Sequence, residues 1–215
     1  YEILSSDWSS DVCSSDLQSL MIELYKVSSR KQTHFQAHNR YGFTLIELIV
    51  TVAVLAIIAM IATPYILEQL ASMEAKRIES QIKNTLKLAK AESHIRRQNL
   101  LVCLSNDGAT CHRDSYKKLL LFLDANDNKN FDLGVDNLLE EQALEPKYST
   151  LYLRVGNNRH YTKFWGDSGK PRGHFGHIKY CPTSTYNHAM YQISFNQGGG
   201  ITYKPNASHP TDCGQ

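Results

Sequence analysis

A single carboxylic acid, Glu47, interrupts a run of almost entirely apolar, small and hydroxylated residues from position 43 to position 66. About 20 apolar residues are enough for a helix to cross a bilayer, so this run has the length of a membrane-spanning segment. An ionised group inside such a segment is costly unless an opposite charge lies beside it. We therefore expect Glu47 to form an ion pair within the membrane. The alternative is a position near the membrane surface, where the carboxylate reaches water.

Four cysteines could form two disulfides if the domain is exported. The chain has 5 cysteines, and one of them, Cys13, lies in an N-terminal segment that we expect to be non-native. The other four are Cys103, Cys111, Cys181 and Cys213. Four cysteines allow three connectivities. We favour Cys103–Cys111 and Cys181–Cys213 because each pair lies within one local region; buried free thiols are the alternative.

The segment from position 154 to position 179 combines basic and aromatic side chains, a combination that suits single-stranded nucleic acid. Asp167 is its one acidic residue. The candidate DNA contacts in this segment are Arg159, Lys163, Trp165, Lys170, Arg172 and Lys179. The alternative is a solvated loop whose aromatic side chains belong to the core.

Oxygen-bearing side chains occupy every second position of a loop, as at the start of a calcium-binding loop. These residues are Asp124, Asn126, Asn128, Asn130 and Asp132. However, Lys129 stands where an EF-hand needs glycine, and Val135 stands where it needs glutamate. The alternative, a polar turn whose side chains bind the local backbone, explains the same pattern.

The sequence predicts no catalytic site, cofactor or metal centre, so the chain is not expected to be an enzyme. It contains no serine nucleophile elbow and no glycine-rich phosphate loop. His174, His177 and Cys181 lie close in sequence, but no fourth zinc ligand has a convincing spacing. The formal net charge of +2 does not by itself indicate a partner.

One long helix with two different halves is expected to position Glu47. Residues 43–66 are apolar on all sides, whereas residues 67–97 are rich in good helix formers and lack Gly and Pro. The second half has one apolar stripe, formed by Ile78, Ile82, Leu86 and Ala89. Pro64 lies between the halves and removes a backbone hydrogen bond, so we expect a kink or local melting there.

Short strands are expected beyond the helix. The candidate strands are 100–104, 118–123, 149–155, 161–165, 177–181, 191–195 and 201–203. Gly198, Gly199 and Gly200 would link the last two as a hairpin. A helix followed by several strands predicts an α+β fold, in which a long N-terminal helix packs on an antiparallel β-sheet.

The stretch GFTLIELIVTVAVLAIIAMIATP, from Gly42 to Pro64, resembles the processing site and N-terminal helix of type IV pilins and of the related pseudopilins of type II secretion. The resemblance implies that a prepilin peptidase cuts between Gly42 and Phe43 and that Phe43 is then N-methylated. Glu47 becomes the fifth mature residue, where this class has a glutamate that pairs with the N-terminal amine of a neighbouring subunit. Pro64 becomes the twenty-second, where the class often has a helix-kinking proline. An ordinary signal anchor is the alternative.

A second stretch, LLLFLDANDNKNFDLGVDNLL from Leu119 to Leu139, is similar to a strand, turn and acidic segment of the GspH/FimT family. This resemblance implies a minor pilin of the type IV pilus, with other pilins, the prepilin peptidase and the inner membrane as partners. The alternatives are a GspH-like minor pseudopilin of type II secretion and a DNA-binding pilus subunit of natural transformation. The arginine-rich end associated with DNA-binding members is missing here.

The chain is expected to have four parts. Residues 1–17 repeat the tripeptide Ser-Ser-Asp and resemble a translated sequencing adapter, so we expect them to be non-native; a natural disordered tail is the alternative. A leader of residues 21–42 would begin at Met21. Residues 43–66 would cross the inner membrane once, and residues 67–215 would form a periplasmic domain. After assembly the subunit would lie in a pilus or pseudopilus.

Overall fold

Residues 44–213 of the chain are described by a computed structural model. They divide into two units, residues 44–50 and residues 51–213. The expected non-native segment 1–17, the leader 21–42 and the predicted cleavage site between Gly42 and Phe43 lie outside the described residues.

Helix α1 spans Leu45–Arg96, a length of 52 residues. The predicted stripe of its second half is confirmed, because Ile78, Ile82, Leu86 and Ala89 are fully buried. The helix ends where Arg97 adopts a left-handed backbone conformation, with φ of 56°. The N–H of Gln98 then donates to the carbonyl of Ser93 at 3.3 Å, which satisfies one of the last carbonyls of the helix.

Eight strands follow α1 within the described residues, and they form two four-stranded antiparallel sheets. The strands are β1 (Leu100–Ser105), β2 (Lys118–Leu123), β3 (Asn137–Ala143), β4 (Ser149–Val155), β5 (Tyr161–Phe164), β6 (Gly176–Pro182), β7 (Tyr191–Phe195) and β8 (Ile201–Pro205). The first sheet has the order β3-β2-β1-β5 and the second has the order β4-β6-β7-β8. The α+β fold class is therefore confirmed.

Two details differ from the sequence prediction. A single sheet was expected and there are two; strand β3 was not predicted as a strand. β3 lies at the edge of the first sheet and carries Glu140 and Glu141, residue types that are uncommon in strands. Its pairing with β2 also shifts register between Leu121 and Phe122, an irregularity that sequence alternation does not reveal.

A main core joins the second half of α1 to the inner faces of both sheets. Its fully buried members include Ile82 and Leu86 of α1, Val102 and Leu121 of the first sheet, and Ile193 of the second sheet. Because α1 contributes to this core, its second half is held by burial of apolar surface rather than by helix propensity alone.

A smaller core lies on the other side of the first sheet. It consists of Leu101, Cys103, Cys111, Leu120, Phe122, Phe131 and Tyr161. The disulfide Cys103–Cys111 lies within it and closes the segment that follows β1. A second disulfide, Cys181–Cys213, fastens the C-terminal segment to β6. These are the two pairs that the sequence favours.

Candidate functional site

The first half of α1 exposes a long apolar surface, in which Glu47 is the one charged residue. Every large apolar side chain along this half, from Leu45 to Ile66, has an exposed fraction of at least 50%. By length and composition the helix could cross a membrane. A surface of this size is unfavourable in water, so it needs lipid or the apolar faces of other helices.

Glu47 lies in the first turn of α1, next to the predicted cleavage site. The hydroxyl of Thr44 accepts a hydrogen bond from the backbone N–H of Glu47 at 3.3 Å, which is the arrangement of a helix N-cap. A carboxylate in the first turn interacts favourably with the helix dipole. Glu47 is thus a negative charge at the start of an apolar helix, while Gly42 and Phe43 lie outside the described residues.

Helix α1 continues through Pro64. Proline has no N–H to donate to the carbonyl four residues earlier. The hydroxyl of Thr63, the residue before Pro64, donates to the carbonyl of Ala59 at 2.7 Å. Hydrogen bonds of this kind often bend helices. Together with Pro64, this contact is a local cause for the predicted kink, which stays a prediction.

A buried carboxylate, Glu74, joins α1 to the start of the second sheet. Its side-chain oxygens accept the backbone N–H of Lys147 at 2.6 Å and that of Tyr148 at 3.2 Å. They also accept the hydroxyls of Ser149 at 3.1 Å and Tyr180 at 3.2 Å. Only 8% of Glu74 is exposed, so these donors replace the water that the carboxylate loses.

The network continues through two stacked tyrosines. The rings of Tyr180 and Tyr191 lie 4.7 Å apart and nearly parallel. The hydroxyl of Tyr191 donates to the carbonyl of Ala75 at 2.8 Å, one residue after Glu74. Burial raises the pKa of the Tyr180 hydroxyl to about 12, so this group remains a donor at neutral pH. Strands β6 and β7 are therefore fastened directly to the helix.

The structure brings some of the predicted DNA contacts together around Trp165. The ammonium of Lys163 lies 4.8 Å from the centre of its ring, and the guanidinium carbon of Arg172 lies 5.8 Å from it. The indole N–H donates to the carbonyl of Arg172 at 2.9 Å. Arg172 also pairs with Asp167, the one acid of this segment. The result is an aromatic ring flanked by two cations.

The other three predicted contacts have different surroundings. Arg159 donates to two backbone carbonyls, at 3.1 and 2.6 Å, and so braces the neighbouring loops. The carbonyl of Lys170 accepts the backbone N–H of Trp165 at 3.2 Å. Lys179 lies on β6 in the second sheet and donates to a backbone carbonyl near the C-terminus at 3.2 Å. The six predicted residues therefore do not lie on one sheet.

In the Asp/Asn-rich loop, the side chains contact the local backbone and the ammonium of Lys129. Asp124 accepts the backbone N–H groups of Asn128 at 3.1 Å and Lys129 at 2.9 Å. The ammonium of Lys129 is 3.9 Å from Asp124 and is paired with Asp127. From residue 44 to residue 213, no group of three or more His, Cys, Asp or Glu residues could hold a metal ion. These contacts are those of a polar turn whose side chains bind the local backbone.

His177 has an unusual position on the outer face of the second sheet. Its Nε2 is buried and has no hydrogen-bond partner among the described residues. Arg154 of β4 lies directly opposite it in the strand register. Burial, followed by the charges of Lys179, Arg154 and Lys204, lowers the pKa of His177 to about 4. Cys181, which the sequence places near His177, forms a disulfide and is not a metal ligand.

Stability is expected to fall on acidification because of His177. The unfolded chain takes up this proton near pH 6.5, whereas the folded chain takes it up only near about pH 4. Protons therefore favour unfolding throughout this interval, and the stabilising contribution is present above it. When the pH is lowered from 6.5 to about 4, the urea concentration at the unfolding midpoint should fall less for His177→Gln than for the native protein.

The exposed His209 supplies the control for this prediction. The His209→Gln variant measures the effect of replacing a histidine at an exposed position elsewhere in the domain. An identical dependence in native protein and His177→Gln would contradict the assignment to His177.

Comparisons with known proteins identify the N-terminal segment. Residues 37–63 match the family model of the prokaryotic N-terminal methylation motif. No curated protein sequence matches the chain. The minor pseudopilin EpsH of the Vibrio cholerae type 2 secretion system is similar, with a TM-score of 0.45 and 14% identity over 61% of this chain and 97% of that one. The type IV minor pilin FimU of Pseudomonas aeruginosa has a TM-score of 0.44 and 12% identity over 65% of this chain and 91% of that one.

The motif match covers the helix start, Glu47 and most of the exposed apolar half of α1. The chain therefore carries a prokaryotic N-terminal methylation motif, which confirms the resemblance of its N-terminal helix to that of the type IV pilin and pseudopilin class.

Proposed function

We propose that this protein is a minor pilin that enters a type IV pilus after prepilin peptidase cuts between Gly42 and Phe43 and Phe43 is N-methylated. Before assembly the first half of α1 anchors the subunit in the inner membrane, and the sheet domain lies in the periplasm. In the fibre the same apolar surface packs against the helices of other pilins. The protein acts as a structural subunit and is the substrate of an enzyme.

The observation that carries this proposal is the exposed apolar half of α1 within the methylation motif. On α1 the main core begins at Ala75, so the exposed apolar residues from Leu45 to Ile66 lie outside this core. A cut after Gly42 would create an ammonium four residues before Glu47. Because neither charge is stable alone in hydrocarbon, the carboxylate of one subunit would pair with the ammonium of the next and fix their register.

Replacement of Glu47 by alanine should leave processing intact and reduce incorporation into fibres. Losing one charge pair in a membrane setting corresponds to a decrease of about tenfold or more. Mass spectrometry of the N-terminus would measure cleavage and methylation, and immunoblots of sheared fibres would measure incorporation. Glu47→Gln should behave like Glu47→Ala, because it keeps the shape of the side chain and removes its charge.

Glu68 provides a matched control for this experiment. It lies on the same helix and is exposed, and its carboxylate lies 3.8 Å from the imidazole of His188. Glu68→Ala should enter fibres like the native protein. Normal incorporation of Glu47→Ala would contradict the pairing role of Glu47.

The first alternative is a minor pseudopilin of type II secretion. The same anchor, cleavage and helix packing would then serve a short periplasmic fibre. Deletion of the gene separates the two roles: loss of surface pili with normal protein secretion supports the pilus. Loss of secretion with normal pili supports the pseudopilus.

A second candidate function is binding of DNA by the fibre. The observation that favours it is the placement of Lys163 and Arg172 beside Trp165, since a ring flanked by cations suits stacked bases and phosphates. The full chain in neutral detergent should bind a fluorescent single-stranded oligonucleotide with an affinity that falls as salt rises. Lys163→Gln should weaken this binding, whereas Lys117→Gln, in an exposed position outside the cluster, should not. Absence of binding, or binding that Lys163→Gln leaves unchanged, would count against this function.

A further inference from the structure

The four strands of the second sheet contain basic residues and no acidic residue. Their charged side chains are Arg154 on β4, Lys179 on β6 and Lys204 on β8. Sheet faces exposed to water commonly place opposite charges across from one another, because like charges repel. The outer face of this sheet therefore carries three positive charges that no acidic residue of the same strands compensates.

The three cations lie around His177. Arg154 is opposite His177 in the pairing of β4 with β6, and Lys179 is two residues further along β6 on the same face. Gln192 of β7 pairs with both Lys179 and Lys204, which places the two lysines in one row across the sheet. The charges of all three cations act on His177.

An open cleft of about 370 Å³ lies at this position. Among its lining residues are Arg154, His177, Ser194 and Phe175. Phe175 is 42% exposed, which is unusual for a phenyl ring, and the Nε2 of His177 is buried without a partner among the described residues. A buried nitrogen of this kind normally has a hydrogen-bond partner. The cleft thus combines the exposed ring of Phe175 with the charged side chain of Arg154.

Acidic groups near the cleft come from outside the sheet. Asp114 pairs with Arg154 at 2.7 Å, and its side chain is 62% exposed. Ion pairs with an exposed partner contribute little to stability, so Asp114 compensates the charge of Arg154 only in part. Lys179 donates to the backbone carbonyl of Asp212 at 3.2 Å. Lys204 has no hydrogen bond or ion pair within the described part of the chain, so its charge is uncompensated.

We propose that this cleft binds a small organic oxyanion, with its phosphoryl or carboxylate group beside Arg154 and its apolar part against Phe175. The oxyanion would accept charge-assisted hydrogen bonds from the guanidinium of Arg154. Lys179 and Lys204 lie on the same face of the sheet outside the cleft, and their charges attract the anion at longer range. The site is independent of membrane anchoring and fibre assembly. It is also separate from the ring of Trp165, which lies beyond β5.

The test is a ligand titration of the full chain in neutral detergent, followed by NMR of the histidine side chains. Phenyl phosphate and benzoate are the two probes, and they distinguish a phosphoryl from a carboxylate preference. Either probe should shift the His177 resonances saturably, and phenol, which lacks the charge, should not. Inorganic phosphate should bind more weakly than phenyl phosphate because it cannot contact Phe175.

Two variants connect the signal to the site. Arg154→Gln should weaken binding of the better probe by about threefold to fivefold, the effect of one charge contact. Lys117→Gln, which removes an exposed charge elsewhere, should leave binding unchanged. Phe175→Ala should remove the advantage of phenyl phosphate over inorganic phosphate.

Three results would overturn the proposal. The first is a shift that grows linearly with probe concentration. The second is an equal shift of His177 and of the exposed His209, which would indicate a general effect of ions. The third is unchanged binding in Arg154→Gln.

Discussion

Glu74→Ala should destabilise the sheet domain by about 3 to 5 kcal/mol, a large fraction of the stability of a domain of this size. The carboxylate accepts two backbone N–H groups and two hydroxyls, and it is nearly inaccessible to water. Alanine would leave these four donors facing a cavity. An unsatisfied buried donor costs more than the hydrogen bond contributed, because water cannot replace the acceptor.

The location of these donors makes the effect larger. Lys147, Tyr148 and Ser149 form the entry to β4, and Tyr180 lies in the middle of the second sheet. The hydroxyl of Tyr180 also accepts a hydrogen bond from the side-chain amide of Asn187 at 3.0 Å. Loss of Glu74 therefore releases contacts that join the helix to three parts of the chain. Coupled hydrogen bonds of this kind are lost together.

Denaturant unfolding of the full chain in detergent, monitored by near-ultraviolet circular dichroism, would measure this loss. Glu74→Gln should lose less than Glu74→Ala, because the amide oxygen still accepts hydrogen bonds. The control is Glu92→Ala, which removes an exposed pair with Arg96 on the same helix and should cost about 0.5 kcal/mol. Equal losses in Glu74→Ala and Glu92→Ala would show that the network does not stabilise the fold.

The helical period of the sequence places Glu74 on the buried stripe of α1, although its charge favours an exposed position. Glu74 lies four residues before Ile78, and so it continues the stripe that the sequence assigns to the core. A carboxylate by itself favours an exposed face, since carboxylates are rarely buried without partners. The partners are 73 to 106 residues away in sequence, and no local pattern could reveal them. The helix and most strands were predictable because their signals are local.

The other elements also divide into those with local sequence signals and those that depend on contacts between distant residues. The favoured disulfides depended on proximity in sequence, and the structure pairs the same cysteines. The division into two sheets depends on pairings between distant strands, such as β1 with β5, which alternation within each strand does not encode. The cation cluster around His177 likewise arises from three strands that only the register brings together.

Gly176→Ala is expected to destabilise the second sheet by about 3 kcal/mol or more. A Cβ atom built on Gly176 would lie 2.0 Å from the carbonyl oxygen of Arg154 and 2.9 Å from the Cα of Val155. Both are backbone atoms of β4, the strand that pairs with β6 at this point. Backbone atoms cannot move aside as a flexible side chain can, so relief of the clash requires separation of the two strands.

Gly156→Ala is the matched control, because it introduces the same methyl group close by. There the nearest atom is the carbonyl oxygen of Phe175 at 3.7 Å, which is an ordinary contact. Because alanine also restricts the unfolded chain, this variant should be neutral or slightly more stable. Thermal unfolding of the two variants and of the native protein would measure the difference. If the cost comes from the close approach of β4, only Gly176→Ala should lower the melting temperature. Equal effects of the two variants would instead assign the cost to loss of glycine in general, and the close strand approach would then contribute nothing.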